Sequence, residues 1–264
     1  LEAELGAPLF DRINRRLRLT PTGEMVLAHV RSTLREYQAL GERIEEFKAA
    51  RRGWIAIAAT AGLAGSLLPS LVHDFRQRYP GIAVSVVDLP IADIVAALES
   101  GDCDLGLGYD LVASPSLRRL AVSEWPIGVV VPPRHPLAGQ PSVLLSECVG
   151  HPWILPAPML SIRTILDAAF ARHAIEVTPV AESTSMAFIQ SLVMQGGGMA
   201  LLNPLDIMEE RQRGTLVYVP LRGHDLPRQT LVLAARAQAS LGTAAELMAA
   251  SVGDTLARLF RASL

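Results

Sequence analysis

Hydroxyl side chains recur where the predicted helices of this sequence begin. They are Thr60 and Ser66 at one helix, Ser161 and Thr164 at a second, and Ser183, Thr184 and Ser185 at a third. A helix N-terminus carries free N–H groups and partial positive charge, so it binds anions such as carboxylates. Capping explains each hydroxyl taken singly. Their repetition at equivalent strand ends favours a small-ligand cleft, with Thr60 as its main hydroxyl donor.

Arg163 lies two residues after Ser161, in the first turn of the second of these helices. Its guanidinium could act as the counter-ion of an anionic ligand. An exposed arginine on the protein surface explains the residue equally well, and the sequence leaves both interpretations open.

Four arginines crowd into seven residues without an acid among them: Arg12, Arg15, Arg16 and Arg18. The surrounding segment alternates Leu17 and Leu19 with these arginines and predicts a short hairpin with Asn14 at its turn. Guanidinium groups match phosphate oxygens, so such a hairpin suits a nucleic-acid backbone. A solvated surface turn is the alternative.

Catalytic and metal-binding patterns are absent from the sequence. It contains no Gly-x-Ser-x-Gly, His-Glu-x-x-His or Gly-x-x-x-x-Gly-Lys motif, and its six histidines are scattered. Cys103 and Cys148 form neither a disulfide framework nor a metal-ligand cluster, and we expect two small buried side chains. The sequence predicts no enzyme, no metal site and no cofactor other than a small-molecule effector.

A long helix follows the arginine hairpin. Thr20 is a natural N-cap, Pro21 suits the first helical position, and the helix is predicted to continue to about Arg51. Its apolar positions follow a 3-4 spacing, typical of a two-helix seam: Leu27, Val30, Leu34, Tyr37 and Ile44. Dimerisation through this stripe and packing on the rest of the chain are the two interpretations.

Two series of strands and helices make up the remainder. The first predicts strands at Trp54–Ala59, Ile82–Leu89 and Asp104–Gly108, and helices at Ala64–Tyr79 and Ile91–Ser100. This order predicts a parallel sheet, which binds ligands at the carboxyl ends of its strands. The second begins at Trp125 and predicts strands at Ile127–Val131, Trp153–Leu155, Val177–Ala181, Met199–Leu202, Leu216–Leu221 and Gln229–Ala235, and helices at Ile162–His173 and Met186–Met194. A last helix is expected at Thr243–Phe260, and two α/β lobes with a cleft between them follow from this order.

Charge is divided unevenly between these parts. The 264 residues contain 24 Lys+Arg and 26 Asp+Glu, and a net charge of −2 by itself disfavours a nucleic-acid-binding chain. Residues 1–52 contain 10 basic and 8 acidic residues, whereas the rest contains 14 and 18. The average therefore merges a basic segment with an acidic one.

No secretory signal or membrane-length apolar run is present in the sequence, which predicts a soluble cytoplasmic protein without a membrane partner. The chain begins at Leu1, within a predicted helix, and we expect further residues upstream.

Several segments resemble the LysR-type transcriptional regulators. Residues 1–12 (LEAELGAPLFDR) and 19–24 (LTPTGE) look like the end of the recognition helix and the wing of that family. Three further segments are similar to family elements: Val131–Ala138 with His-Pro-Leu-Ala, Ser100–Gly106 with Gly-x-Leu-Asp, and Gln195–Leu202 with Gly-x-Gly-x-x-x-Leu. The resemblance extends over the whole chain.

The resemblance implies an α/β fold with a two-lobed effector domain like type 2 periplasmic binding proteins. A long linker helix and the remnant of a winged helix-turn-helix precede this domain. The implied parts are residues 1–19 for the recognition-helix end and wing, 20–52 for the dimerisation helix, 53–124 with 237–264 for lobe I, and 125–236 for lobe II. Base-reading residues cannot be assigned, and only Arg12, Arg15, Arg16 and Arg18 remain as backbone contacts.

The implied partners are double-stranded DNA, a small effector such as a carboxylate, and the protein itself as a dimer or tetramer. By position, the family's effector cleft corresponds to Thr60, Ala61, Gly62, Gly108, Tyr109, Asp110, Pro156–Ser161, Ser183, Thr184, Ser185, Leu202 and Asn203. Ser66 and Arg163 join this set from the helix-start argument. A cytoplasmic solute-binding protein without a DNA role is the alternative function, because the two lobes alone would look the same.

Overall fold

A computed structural model of the chain describes residues 1–13, 16–46, 53–111, 114–223, 226–238 and 240–262. The elements of the first half are α1 (Glu2–Leu5), β1 (Phe10–Ile13), β2 (Arg16–Leu19), α2 (Pro21–Glu46), β3 (Gly53–Ala59), α3 (Ala61–Arg78), β4 (Ile82–Asp88), α4 (Ile91–Ser100), β5 (Leu105–Tyr109) and β6 (Leu117–Trp125). Those of the second half are β7 (Gly128–Val131), β8 (Ile154–Pro156), α5 (Ser161–Arg172), β9 (Ala181–Ser183), α6 (Met186–Met194), β10 (Ala200–Leu202), α7 (Met208–Arg213), β11 (Val217–Pro220), β12 (Gln229–Arg236) and α8 (Thr243–Ala262).

The predicted arginine hairpin is confirmed by the pairing of β1 and β2. The two strands run antiparallel, with Phe10 opposite Leu19 and Ile13 opposite Arg16. The predicted turn residue Asn14 and the adjacent Arg15 lie outside the described residues.

Helix α2 begins as the sequence predicts. The Thr20 hydroxyl accepts a 2.9 Å hydrogen bond from the N–H of Gly23 and donates a 2.8 Å bond to the carbonyl of Pro8. Thr20 thus caps the helix and links its start to the segment that precedes the hairpin. The helix is described to Glu46, and residues 47–52 lie outside the described part of the chain.

Lobe I contains a five-stranded sheet in the order β4-β3-β5-β12-β6. Successive side chains of β3 point to opposite faces, as in any strand. Ile55 and Ile57 pack on one face with α3 and α8, and Ala58 packs on the other face with Ile94 and Leu98 of α4. Helices therefore cover both faces of the sheet.

The expected boundary of lobe II at residue 236 is wrong, whereas the predicted parallel pairing of the first three strands is confirmed by the pairs β3–β4 and β3–β5. β12 runs antiparallel between β5 and β6 in the sheet of lobe I, with Leu231 opposite Tyr109 and opposite Ser123. β6 itself was missed by the sequence patterns. The chain leaves lobe I after Trp125, which is buried in the lobe I core, and returns to it at Gln229.

Lobe II is built on the antiparallel order β10-β7-β11, with the parallel pair β8-β9 beside it. A bridge between Trp153 and Met199 links the two sheets. The strand expected at Val177–Ala181 is instead found at Ala181–Ser183. Cys103 and Cys148 are buried and form no disulfide, as expected.

Gly198 ends a tight turn of three glycines, residues 196–198, that precedes β10. Its φ is +155°, and a Cβ atom at this position would lie 2.7 Å from the carbonyl oxygen of Pro152. This close approach brings the start of β10 against the start of β8.

Candidate functional site

A cleft of about 430 Å³ lies between the two lobes, within the range of small-molecule sites. Lobe I contributes residues at the ends of β3, β4 and β5, and lobe II contributes the starts of α5 and α6. Its lining consists of Thr60, Ala61, Gly62, Asp88, Leu89, Pro90, Ile91, Ala92, Tyr109, Met159, Leu160, Ser161, Ile162, Thr184, Met186, Asp206 and Gln229. The cleft thus lies at the carboxyl ends of the parallel strands, where the strand order predicted a ligand site.

Three helices begin at the cleft without a side-chain cap. They are α3, preceded by Thr60, α4, preceded by Pro90, and α5, preceded by Leu160. Their first N–H groups, those of Ala61, Gly62, Leu63, Ile91, Ala92, Ser161 and Ile162, have no hydrogen-bond partner among the described residues. Three positive helix ends with free donors therefore converge on one volume.

Eight of the residues predicted for the effector cleft line it. They are Thr60, Ala61, Gly62, Tyr109, Met159, Leu160, Ser161 and Thr184. The Thr60 hydroxyl makes no hydrogen bond to any described residue, because α3 is left uncapped. It is therefore available to a ligand.

The other predicted residues lie off the cleft, and several have local structural roles; they are Ser66, Gly108, Asp110, residues 156–158, Arg163, Ser183, Ser185, Leu202 and Asn203. The hydroxyl of Ser66 donates to the carbonyl of Gly62 within α3 at 2.6 Å. The hydroxyl of Ser185 caps α6 by accepting from the N–H of Phe188, and that of Ser183 accepts from the N–H of Ser185. Gly108 faces Leu111 and Thr60 instead of the cleft volume.

Arg163 is committed to lobe II and does not line the cleft, so the counter-ion interpretation lacks support. Its guanidinium pairs with Asp167 at 2.7 Å, with Glu182, and with the carbonyl of Pro156 at 3.0 Å. The hydrogen bond to Asp167 is the main cause of its raised pKa, so the charge is satisfied within α5 and β9.

Asn203 belongs to a buried joint between the lobes. The segment that contains it follows β10 and enters lobe I, since Leu205 packs in the lobe I core whereas Leu202 and Ile207 pack in that of lobe II. The Asn203 amide bonds with Tyr109 and Gln229, both in strands of lobe I. Burial raises the pKa of Tyr109 well above its usual value, so its hydroxyl stays protonated and donates.

Asp206 is the main residue that the sequence patterns missed. It ends the same joint, is 2% exposed, and lines the cleft. Burial raises the pKa of its carboxyl to about 7, and the N–H of Asn203 opposes this shift through a 3.3 Å bond to Oδ2. The sequence signal for Asp206 is its position shortly after β10, close to the predicted cleft residues Leu202 and Asn203.

The hairpin and α2 form a second candidate site. Arg12 lies on β1 and Arg16 and Arg18 lie on β2, with the side chain of Arg18 exposed. On α2, Val30 is 41% and Leu34 is 57% exposed, and Leu27 is half-buried. Tyr37 and Ile44 lie farther along the same helix. Val30 and Leu34 thus remain uncovered on the single chain.

The described residues contain neither a metal-ligand cluster nor a membrane-spanning helix. No group of three or more His, Cys, Asp or Glu side chains is placed to hold a metal ion. None of the described helices has both the length and the apolar character needed to cross a membrane.

Residues 48–257 match the family model described as the LysR substrate binding domain. The HTH-type transcriptional regulator CysB of Burkholderia cenocepacia is 27% identical over 261 residues, which cover 97% of this chain and 83% of CysB. One similar solved structure is the BenM effector binding domain with its effector benzoate. It matches with a TM-score of 0.61 and 22% identity, over 79% of this chain and 94% of the BenM chain. Another is the effector binding domain of QuiR in complex with shikimate. It matches with a TM-score of 0.62 and 17% identity, over 78% of this chain and 98% of the QuiR chain.

Proposed function

The chain belongs to the LysR family of transcriptional regulators, and from this we propose that it is a DNA-binding regulator whose activity responds to an organic acid. Its relatives are regulators and not enzymes. The effector binds between the two lobes and alters the geometry of a dimer or tetramer on DNA. The single observation that carries this proposal is the convergence of three uncapped helix N-termini on the inter-lobe cleft.

The helix starts support an anionic effector. Free N–H groups and the partial charge of the helix ends stabilise a carboxylate without a basic side chain. The hydroxyls of Thr60, Ser161 and Thr184 add donors at the same place. Benzoate and shikimate, named with two proteins of this fold, are both carboxylates of a size that suits the cleft.

Lobe closure is the mechanism we favour. The cleft is lined from both lobes, so a ligand inside it contacts both and stabilises one degree of closure. Each tenfold preference of the ligand for one closure supplies about 1.4 kcal/mol for shifting the equilibrium. The linker helices carry that shift to the DNA-binding units. A hydrogen bond of 3.2 Å from Arg236 to Ser32 of α2 joins lobe I to this helix.

The arginine hairpin supports the DNA-binding half of the proposal. Guanidinium groups on two short strands suit contacts to phosphates beside the groove that the recognition helix occupies. Such a role belongs in the cytoplasm. It requires no metal or cofactor beyond the effector.

The exposed stripe of α2 supports self-association. Val30 and Leu34 stand on the 3-4 spacing of a two-helix seam. A second copy of the helix would cover them and place two hairpins on one DNA site.

The test is a gel shift of the complete protein on its own upstream region, over a series of salt concentrations. We expect binding that weakens steeply with salt and that a small organic acid alters. Absent or salt-insensitive binding would contradict the regulator and favour a solute-binding protein without a DNA role.

A further inference from the structure

Asp206 is a buried carboxyl with an incomplete set of partners. Its Oδ2 accepts one long hydrogen bond from Asn203, and its Oδ1 has no hydrogen-bond partner among the described residues. The side chain of Gln190 donates to the backbone carbonyl of Asp206 and leaves the carboxyl unsatisfied. A buried carboxyl is costly without a partner, and this one lines an open cleft.

The described lining of the cleft provides no basic side chain to neutralise this carboxyl. Among the described residues that line the cleft, none is Lys, Arg or His, and a second carboxyl, that of Asp88, is exposed. Arg163 is held by its own carboxylates. A Cβ on Gly62 would lie 3.0 Å from Asp206 Oδ1, so the carboxyl is close to the first turn of α3, but no N–H of that turn bonds to it. A ligand group bound beside Asp206 can therefore supply the positive charge that the cleft lining lacks.

We propose that Asp206 selects the effector by binding a protonated amino group, so that the effector is a small zwitterion with an apolar body. This inference rests on the proposed function, in which the helix starts bind the effector's carboxylate. Leu89, Ile91, Met159 and Met186 supply the apolar wall for the remainder of the ligand. A cleft of about 430 Å³ accommodates an amino acid with a branched or aromatic side chain.

Binding of an ammonium group stabilises the ionised form of Asp206. The pKa of the Asp206 carboxyl in the unliganded protein is about 7. Binding of the ammonium group below that pH therefore releases a proton from Asp206. Tyr109 is the titratable neighbour, and burial keeps it protonated throughout this range. Among the described residues, no charged side chain contributes to the raised pKa of Asp206.

The experiment uses calorimetric titration of the complete protein with matched sets of probes. One set is phenylalanine, 3-phenylpropanoate and 2-phenylethylamine, and the other is leucine, 4-methylpentanoate and 3-methylbutylamine. We expect at least one amino acid to bind about tenfold or more tightly than its deaminated acid, since a charged hydrogen bond is worth that much. Its affinity should rise between about pH 6 and pH 8 as Asp206 ionises.

Asp206→Asn keeps the shape and the acceptor for Asn203 but removes the charge. We expect it to abolish both the preference for the amino acid and the rise with pH. Asp74→Asn removes an exposed carboxyl of α3 that does not line the cleft and is the matched control, expected to change the affinity less than about twofold. Thermal melts establish that both variants are folded.

The inference is overturned if the deaminated acids bind as tightly as the amino acids, or if Asp206→Asn keeps the preference. The first result would leave a carboxylate-responsive regulator intact. Binding of no probe at all would also overturn it, and the salt-dependent gel shift would still decide the proposed function on its own.

Discussion

The hydroxyl of Tyr109 donates a 2.6 Å hydrogen bond to Oδ1 of Asn203, within the buried joint between the two lobes. The same oxygen accepts from the N–H of Leu205 at 3.1 Å, and the Asn203 amide donates to Gln229 at 3.1 Å. A polar network thus anchors the segment after β10 to two strands of lobe I. Because all its members are buried, the geometry of the joint is strongly specified.

Tyr109→Phe removes one donor from this joint and leaves Asn203 partly satisfied through Leu205. We expect the free energy of unfolding to fall by about 1–2 kcal/mol, the usual value of a buried hydrogen bond. Urea denaturation measures it. Tyr218→Phe is the control for loss of a tyrosine hydroxyl. It removes a 3.1 Å hydrogen bond to the carbonyl of Pro126, in the segment where the chain passes from lobe I to lobe II. A Tyr109→Phe variant as stable as the wild type would show that the joint does not hold the lobes.

Asp206→Asn should make the protein more stable at neutral and alkaline pH. The folded-state pKa of about 7 lies above the ordinary value of 3.8, so the folded protein holds this proton while the unfolded chain releases it. The contribution of Asp206 therefore falls as pH rises from about 4 to 7. At about 1.4 kcal/mol for each pKa unit, the gain of the variant at pH 8 is at most about 4 kcal/mol.

Urea denaturation of both proteins at about pH 5 and pH 8 measures this difference. The variant's advantage should be small at the lower pH and larger at the higher one. An advantage that is equal at both pH values would mean that Asp206 is already ionised in the folded protein.

Thr60→Val should abolish a thermal shift caused by a cleft ligand, because valine keeps the shape but cannot hydrogen-bond. A screen of small carboxylates and sugars by thermal shift supplies the ligand. Ser66→Ala is the matched control, since Ser66 lies in the same helix but bonds to Gly62 and does not line the cleft. If Thr60→Val leaves the shift intact, Thr60 is not an anchor.

Arg18→Ala should weaken binding to all DNA sequences alike. Loss of one phosphate contact lowers the slope of log affinity against log salt by about one. Fluorescence anisotropy at several salt concentrations measures it. Arg31→Ala removes an exposed arginine of α2 away from the hairpin and should leave the slope unchanged. An equal effect of both substitutions would indicate general charge attraction and not a hairpin contact.

Leu34→Glu should disrupt self-association, because it buries a charge in the proposed seam. Light scattering coupled to size-exclusion chromatography reports the molar mass. Met25→Glu changes a residue that is 68% exposed but lies off the 3-4 spacing, and it should leave the mass unchanged. Unaltered mass in Leu34→Glu would move the interface to another surface.

Local patterns predicted most of the individual elements well. Ile91–Ser100 and Met186–Met194 are helices with the predicted bounds, and Thr20 caps α2 as expected. Helix periodicity, caps and glycine turns act over a few residues, so they can be read from the chain directly. Thr60, Ala61 and Gly62 line the cleft for a related reason, since a helix that starts after a parallel strand begins at the carboxyl edge of the sheet.

Long-range pairing could not be predicted in the same way. The apolar run of β12 fits either lobe, and only its register with β5 and β6, more than 100 residues away in sequence, assigns it to lobe I. The sequence allows Arg163 to act as a ligand counter-ion. Only the folded structure shows that it pairs with Glu182, 19 residues away in sequence.

The sequence by itself determined the two series of strands and helices, the arginine hairpin and the hydroxyls at helix starts, because each depends on neighbouring residues. Only the tertiary structure decided that Asp206 is a buried carboxyl on the cleft. Its burial arises from the joint that carries Asn203 and Leu205 into lobe I. Desolvation depends on every element packed around a group, and no local pattern records it.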